Sequence, residues 1–272
     1  MDINLRLSSG QVLRGIIRSP GDNVRAVILL VHGLGDHIQR FTHWADMFLG
    51  KNIGFLGIDL PGHGRSDGKR GNIRNYSLTH EMLDIMIVEY KKTFPGIPVF
   101  LYGHSLGGGI VLEYILKRNP EITGAIVTSP WLRLSFEPNR TKIFLVRVLK
   151  SLFPSLIQPS GLVVNHISHD RTVVEKYISD PLVHTRISLS LFHSGVTAAR
   201  YSLNNAGSLK IPLLLIHGSE DLITSPEGSR EFASKTKLAE LKIWEGGFHE
   251  LHNEPFKDEV FLYILKWIEK LI

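Results

Sequence analysis

The stretch VFLYGHSLGGGI at residues 99–110 decides the fold. Val99–Tyr102 is β-branched, apolar and aromatic, which predicts a buried strand, and Ile110–Leu116 follows a helical pattern. Between them lies GHSLG at residues 103–107, a G-x-S-x-G sequence. In that context a sharp turn holds a serine hydroxyl above a sheet. The alternative for the motif by itself is a glycine-rich connection with an incidental serine.

Apolar runs and helical patterns alternate along most of the chain. The first two runs favour an antiparallel pair at a sheet edge, and the later ones are apolar on both faces, as in parallel strands. This order predicts an α/β fold with a mostly parallel central sheet flanked by helices. The predicted strands are Ile3–Leu7, Val12–Ile17, Ala26–Val31, Ile53–Ile58, Val99–Tyr102, Ile122–Val127, Leu213–Ile216 and Leu241–Trp244.

The alternation stops from Trp131 to about Lys210, where no apolar strand is predicted. We therefore expect one domain over residues 1–272, with a core of about 1–130 and 211–272 and an inserted helical cap of about 131–210. The cap's helical patterns are Ile143–Leu152, Thr172–Ile178 and Leu189–Leu203, broken by Pro138, Pro154, Pro159 and Pro181.

Composition narrows the classes of function. Hydrophobic residues make up 43% of the 272 residues and charged residues 21%, as in a soluble globular protein. The chain has no cysteine, which excludes disulfides, thiolate zinc sites and a cysteine nucleophile. The longest apolar run, Ala26–Val31, is too short to cross a bilayer, and the first residues do not form a signal peptide, so we expect a cytoplasmic protein.

The net charge of +5 is distributed along the chain, since no more than two basic residues are adjacent in the sequence. Such a distribution does not favour a nucleic-acid partner.

Ester hydrolysis needs a nucleophile, a base and a carboxylate that orients the base. Ser105, Asp221 and His249 supply them in the order Ser–Asp–His, each just after a predicted strand. Asp221 is equally a helix N-terminal residue, and Glu220 is its nearest rival. His249 is selected among 13 histidines because it follows the last predicted strand and precedes the final helix.

Two backbone amides are expected to bind the oxyanion: those of Leu106, after the nucleophile, and Leu34, in the loop after an earlier strand. We expect no cofactor. A metal site is also not expected, because His249 and His252 are three apart and a zincin helix needs a spacing of four with a glutamate.

Five stretches together resemble the monoacylglycerol lipase and lysophospholipase branch of the α/β-hydrolases, over nearly the whole chain. They are HGLGDHIQRF (32–41), IDLPGHGRSDGKRG (58–71), GHSLGGGI (103–110), HGSEDLITSP (217–226) and GGFHELHNEP (246–255). The resemblance implies an α/β-hydrolase fold, an acyl-enzyme on Ser105 and a single-chain lipid ester as substrate, such as a monoacylglycerol.

The same resemblance implies that Asp36, Arg40 and His252 bind the substrate's head group. Asp36 stands where the family has glutamate, one methylene longer. The alternative is a surface Asp–Arg pair together with a histidine at a helix entry.

Other functions stay open at this point. A lysophospholipase or a broad carboxylesterase would use the same machinery. A peptidase or acyltransferase would need different cap contacts. A non-catalytic binding protein of this fold usually lacks a triad member.

The cap segment Ile143–Ile157 carries a wide apolar arc with basic residues grouped opposite. We expect part of it to dock on a lipid surface, the alternative being ordinary packing within the cap and onto the core. The arc comprises Leu145, Val146, Leu149, Leu152 and Phe153, and the polar group comprises Arg147, Lys150 and Ser151.

Overall fold

The computed structural model describes residues 1–136 and 140–272, with the main chain alone at Arg140 and Lys142. The predicted break at Pro138 lies outside the described residues.

Eight strands in the described residues form one sheet, in the order β1-β2-β4-β3-β5-β6-β9-β10. The first two pair antiparallel, β2 pairs antiparallel with β4, and the remaining pairs are parallel. The predicted sheet is confirmed, with strand ends shifted by a few residues. Its strands are β1 (Asp2–Arg6), β2 (Val12–Arg18), β3 (Ala26–Val31), β4 (Ile53–Ile58), β5 (Val99–His104), β6 (Gly124–Thr128), β9 (Leu213–Gly218) and β10 (Ala239–Trp244).

Helices cover both faces of the sheet, as expected for parallel strands. Side chains of α1 and α8 pack in the core on one face, and those of α2, α3, α6 and α7 pack in the core on the other. The helices are α1 (Thr42–Leu49), α2 (Ser77–Thr93), α3 (Leu106–Arg118), α4 (Arg140–Leu152), α5 (Arg171–Ser179), α6 (Leu189–Asn205), α7 (Pro226–Ala233) and α8 (Lys257–Glu269).

The central strand β3 shows why the sheet lies at the middle of the fold. All six of its side chains are buried. Val27, Leu29 and Val31 point into one core, whereas Ala26, Ile28 and Leu30 point into the other. This alternation follows from the two-residue period of a strand, which sends neighbouring side chains to opposite faces.

The segment between β6 and β9 contains α4, α5 and α6, which match the three predicted helical patterns. The expectation that this segment lacks strands is wrong. Ile157–Pro159 (β7) pairs antiparallel with Arg186–Ser188 (β8). Strands of three residues are too short to show a period-two pattern, and the proline in β7 argued against a strand.

Candidate active site

Ser105 lies at the sharp turn that joins β5 to α3. Its backbone has φ of 55° and ψ of −117°, a conformation that is rare for a residue with a side chain and is often found at functional sites. The Ser105 N–H donates to the Thr128 carbonyl, and the Trp131 N–H donates to the Ser105 carbonyl. At Gly107 a Cβ atom would lie 2.2 Å from the Val31 carbonyl oxygen, so the motif needs glycine there.

His249 lies in the loop after β10 and bridges the serine to a carboxylate. Its Nε2 atom is 2.9 Å from Ser105 Oγ, and its Nδ1 atom is 2.7 Å from Asp221 Oδ2. A carboxylate only accepts hydrogen bonds, so this geometry assigns the proton to Nδ1 and leaves Nε2 to accept from the serine hydroxyl. The Ser129 hydroxyl donates to the His249 carbonyl at 2.8 Å and fixes the loop.

The Asp221 carboxylate has several hydrogen-bond partners besides His249. Its Oδ1 atom accepts from the N–H groups of Ile223 at 2.8 Å and Thr224 at 3.0 Å. Its Oδ2 atom also lies 3.1 Å from His217 Nε2 and 2.9 Å from the Thr224 hydroxyl. The rival Glu220 is exposed. The structure therefore brings Asp221 to the imidazole, and the N–H groups of Ile223 and Thr224 orient the carboxylate. The N-cap of the following helix is Ser225, so Asp221 does not cap it.

The electrostatics of this hydrogen-bonded chain favour an ionised aspartate and a basic histidine. Burial would raise the pKa of Asp221, but the nearby His249 and His217 outweigh it and hold that pKa well below its ordinary range. Burial would lower the pKa of His249, but the charge and hydrogen bond of Asp221 raise it above its ordinary value of 6.5. The imidazole is therefore a stronger base than an isolated histidine.

The two predicted oxyanion donors lie in the expected elements. Leu106 is the first residue of α3, where a helix has no internal acceptor for the N–H. Leu34 follows Gly33, where a Cβ atom would lie 3.1 Å from Ser105 Cβ. Within the described part of the chain, neither amide has a hydrogen-bond partner. Both N–H groups are thus free to bind an oxygen.

A small cavity of about 40 Å³ opens above Ser105. Side chains from both the sheet core and the inserted segment line it, among them Leu34, Leu134, Leu162 and Phe192. None of its lining residues is acidic or basic. The environment of the serine is therefore suited to an apolar group.

Asp36 and Arg40 lie side by side, as predicted, but in a buried ion-pair network rather than at the surface. Arg40 Nη1 is 2.9 Å from Asp36 Oδ1. The same guanidinium makes two further bonds to Glu250, of 2.8 Å and 2.6 Å, and it lies 4.7 Å from the centre of the Tyr177 ring. Neither Asp36 nor Arg40 lines the cavity above Ser105.

Glu250 and His217 are the neighbours that sequence reasoning missed. Glu250 directly follows the candidate base, and Asn253 Nδ2 donates to it at 2.7 Å. The arginine that pairs with it is 210 positions away in the sequence. His217 lies four residues before Asp221. This i,i+4 spacing is the signal in the sequence that could have identified His217.

His252 is buried, with 1% of its surface exposed. Its ring stacks on Phe41 at 4.4 Å between centroids and lies 4.9 Å from the ring of His104. Within residues 1–136 and 140–272, neither of its ring nitrogens has a hydrogen-bond partner. Burial lowers its pKa well below the ordinary value, so it is neutral. No group of three His, Asp or Glu side chains in those residues is arranged to hold a metal ion.

The chain is similar to known proteins in sequence and in structure. The family described as serine aminopeptidase, S33, matches residues 22–256. Human monoglyceride lipase is 30% identical, over 97% of this chain and 88% of the human protein. A phospholipase of Bacillus subtilis is also 30% identical, over 88% of this chain and 93% of that protein.

The chain is also similar to part of a longer protein and to a solved structure. An abhydrolase domain-containing protein of Dictyostelium discoideum is 34% identical over 99% of this chain, which spans 29% of that protein's length. The crystal structure of a monoacylglycerol lipase of Paleococcus ferrophilus superposes with a TM-score of 0.88 at 33% identity. The superposition covers 96% of this chain and 99% of the Paleococcus chain. The predicted fold is thereby confirmed.

Proposed function

The chain belongs to the serine aminopeptidase S33 family of α/β-hydrolases, and from that premise we propose that it hydrolyses monoacylglycerols to glycerol and a free fatty acid. The observation that carries the proposal is the hydrogen-bonded chain from Ser105 through His249 to Asp221 beside an apolar cavity. The lipase names of the human and Paleococcus proteins support the choice of substrate.

In the first half-reaction, Ser105 Oγ attacks the ester carbonyl carbon and His249 Nε2 takes the hydroxyl proton. The carbonyl oxygen becomes negative and accepts hydrogen bonds from the Leu34 and Leu106 N–H groups. The bond to the glycerol oxygen then breaks, and His249 gives its proton to that oxygen. Asp221 stabilises the transient imidazolium and keeps the tautomer that accepts at Nε2.

In the second half-reaction, a water molecule attacks the acyl-enzyme and transfers a proton to His249. The bond between the acyl carbon and Ser105 Oγ breaks, the serine regains its proton, and the fatty acid leaves. One water molecule is consumed, and the proton it gives to His249 restores the Ser105 hydroxyl.

The character of the cavity argues against cleavage of amino-terminal peptides. An aminopeptidase must bind the ammonium group of its substrate, and a buried ammonium needs a carboxylate partner. None of the residues that line the cavity above Ser105 is acidic. An acyl chain, by contrast, fits an apolar lining without leaving a charge unpaired.

We propose that Asp36, Arg40 and His252 form the polar region that recognises the head group. Asp36 Oδ2 is buried and has no partner among the described residues, so it offers an acceptor for a hydroxyl. Arg40 is engaged by two carboxylates. Its role is therefore to hold Asp36 and Glu250 in place.

We also propose that α4 contacts a lipid surface. Four members of the predicted arc are exposed, Leu145 at 51%, Leu149 at 39%, Leu152 at 71% and Phe153 at 57% of full exposure, whereas the fifth, Val146, is 5% exposed and packs inward. Phe144 at 64% and Val148 at 47% are exposed as well, although they lie outside the predicted arc. The exposed Arg147 flanks the apolar side chains, as at an anionic interface. No helix in the described parts of the chain is long and apolar enough to cross a bilayer.

A comparison of esters that share one acyl chain tests the substrate class. The proposal predicts a higher kcat/KM for a monoacylglycerol than for the corresponding lysophosphatidylcholine. The similarity to the Bacillus subtilis phospholipase favours the opposite order, in which the lysophosphatidylcholine has the higher kcat/KM. A preference for lysophosphatidylcholine would make the protein a lysophospholipase, and equal rates on these and simple alkyl esters would make it a broad carboxylesterase.

A further inference from the structure

A second histidine shares the carboxylate of Asp221 with the base. His217 Nε2 lies 3.1 Å from Asp221 Oδ2, the same oxygen that lies 2.7 Å from His249 Nδ1. The Thr224 carbonyl oxygen lies 3.0 Å from the same nitrogen of His217. An ionised carboxylate and a carbonyl only accept hydrogen bonds, so this geometry assigns a proton to His217 Nε2. Asp221 Oδ2 therefore meets the N–H groups of two imidazole rings.

The ring of His217 is fixed on its other side as well. Its Nδ1 atom lies 2.8 Å from the hydroxyl of Ser229 on α7, and both side chains are completely buried. Because each ring nitrogen has a partner, the imidazole cannot rotate without leaving a buried polar group unpaired. Strand β9, which carries His217, and helix α7 thus fix the direction in which the His217 N–H points.

This second donor changes the charge that Asp221 presents to the base. An N–H group bonded to a carboxylate stabilises its negative charge, whether the ring that donates is neutral or charged. The N–H of His217 therefore withdraws charge from the oxygen that contacts His249. It also restrains that oxygen, whereas the N–H groups of Ile223 and Thr224 restrain the other oxygen of the carboxylate.

We propose that His217 is a positioning residue for the reaction, which holds the Asp221 carboxylate in line with His249 and limits the strength of that base. The proposal rests on the function proposed above, since it needs the hydrogen-bonded chain from Ser105 to Asp221 to be the catalytic one.

The other titratable groups around His249 do not share this oxygen. In the part of the chain that the structure describes, the hydrogen bonds at Asp221 Oδ2 join it to His217, His249 and the Thr224 hydroxyl. The remaining titratable side chains near the base are Asp36, His104, Glu250 and His252. They stay the same in the variants below, so a change in the base can be assigned to His217.

Four variants separate a positioning role from a structural one. His217→Leu removes the second donor, and His217→Gln keeps an amide N–H that can reach Asp221. Ser229→Ala removes the partner that orients the His217 ring. His80→Leu is the matched control, because His80 Nε2 lies 3.0 Å from Glu113 Oε2 in another buried histidine–carboxylate pair, which is not part of the site.

The readout is the pH profile of kcat and kcat/KM for nitrophenyl butanoate. We expect His217→Leu to move the acid limb to higher pH by about half a unit, because Asp221 then offers more of its charge to His249. Its kcat should fall by about tenfold with KM nearly unchanged, because the carboxylate is held less firmly. Ser229→Ala should move the limb in the same direction by less. His217→Gln should stay close to the wild type, and His80→Leu should change neither value.

Three results would overturn the proposal. They are an acid limb that stays in place in His217→Leu, a limb that moves to lower pH, as expected when the Asp221 charge is lost, and an equal shift in His80→Leu. If His217→Leu does not fold, the direction of the shift in Ser229→Ala decides by the same criteria. These results leave the proposed function intact, because each variant is compared with an active wild type. A wild type that cleaves no ester would instead refute the function.

Discussion

The Nδ1 atom of His249 lies 2.7 Å from the Oδ2 atom of Asp221, and this contact raises the pKa of an imidazole that burial alone would lower. His249 must be neutral to act as the base, so kcat/KM is expected to fall as the pH drops through a pKa above 6.5. Asp221→Asn removes the charge that raises this pKa. The acid limb should then move to lower pH, and kcat should fall by about 10⁴-fold.

pH profiles of kcat/KM and kcat from about pH 5 to 9 measure the position of the acid limb and the fall in kcat. Glu220→Gln is the control, because Glu220 is exposed and lies outside the hydrogen-bonded chain. An acid limb that stays in place in Asp221→Asn, or equal losses in the two variants, would count against Asp221 as the partner of the base.

Arg40 pairs with two carboxylates inside the fold, with its side chain only 10% exposed. Arg40→Ala leaves Asp36 and Glu250 buried without a cation, which is expected to lower the free energy of unfolding by about 3–5 kcal/mol. Arg18→Ala breaks an exposed pair with Asp46 and should cost about 1 kcal/mol or less. Urea denaturation of the two variants measures the difference, and a similar small loss in both would show that the network is not stabilising.

Asp36→Asn separates head-group recognition from stability better than removal of Arg40 does. The variant keeps an oxygen that accepts from the His37 N–H and Arg40, but it loses the negative charge offered to a hydroxyl. The kcat/KM for a monoacylglycerol is expected to fall by about tenfold or more, with that for a nitrophenyl ester of the same acid nearly unchanged. Equal losses on both esters would assign Asp36 to the structure of the oxyanion loop.

The exposed apolar side chains of α4 predict binding to lipid. Phe144→Asp with Leu152→Asp should reduce co-sedimentation with anionic vesicles while leaving turnover of a water-soluble ester intact, because both side chains are exposed and neither lines the cavity above Ser105. Val88→Asp on α2, where the valine is 53% exposed, is the matched control. If all three proteins sediment equally with the vesicles, α4 does not dock on lipid.

The features that depend on one strand or helix alone could be predicted from the sequence. The strands are buried on both faces, so their apolar runs stand out, and the three candidate catalytic residues each follow a strand, so their convergence could be expected from topology. Local reasoning failed where the determining contact is distant. The pairing of Glu250 with Arg40 joins residues 210 positions apart, and the inward packing of Val146 depends on how α4 rests on its neighbours.

Covalent labelling of the nucleophile tests the central claim most directly. A fluorophosphonate reacts with a serine whose hydroxyl is activated by a base, and peptide mass spectrometry then locates the adduct. We predict one adduct, on Ser105. We also predict that Ser105→Ala abolishes the labelling and lowers monoacylglycerol turnover by about 10⁴-fold or more. An adduct on another serine, or turnover in Ser105→Ala that is close to that of the wild type, would contradict the account.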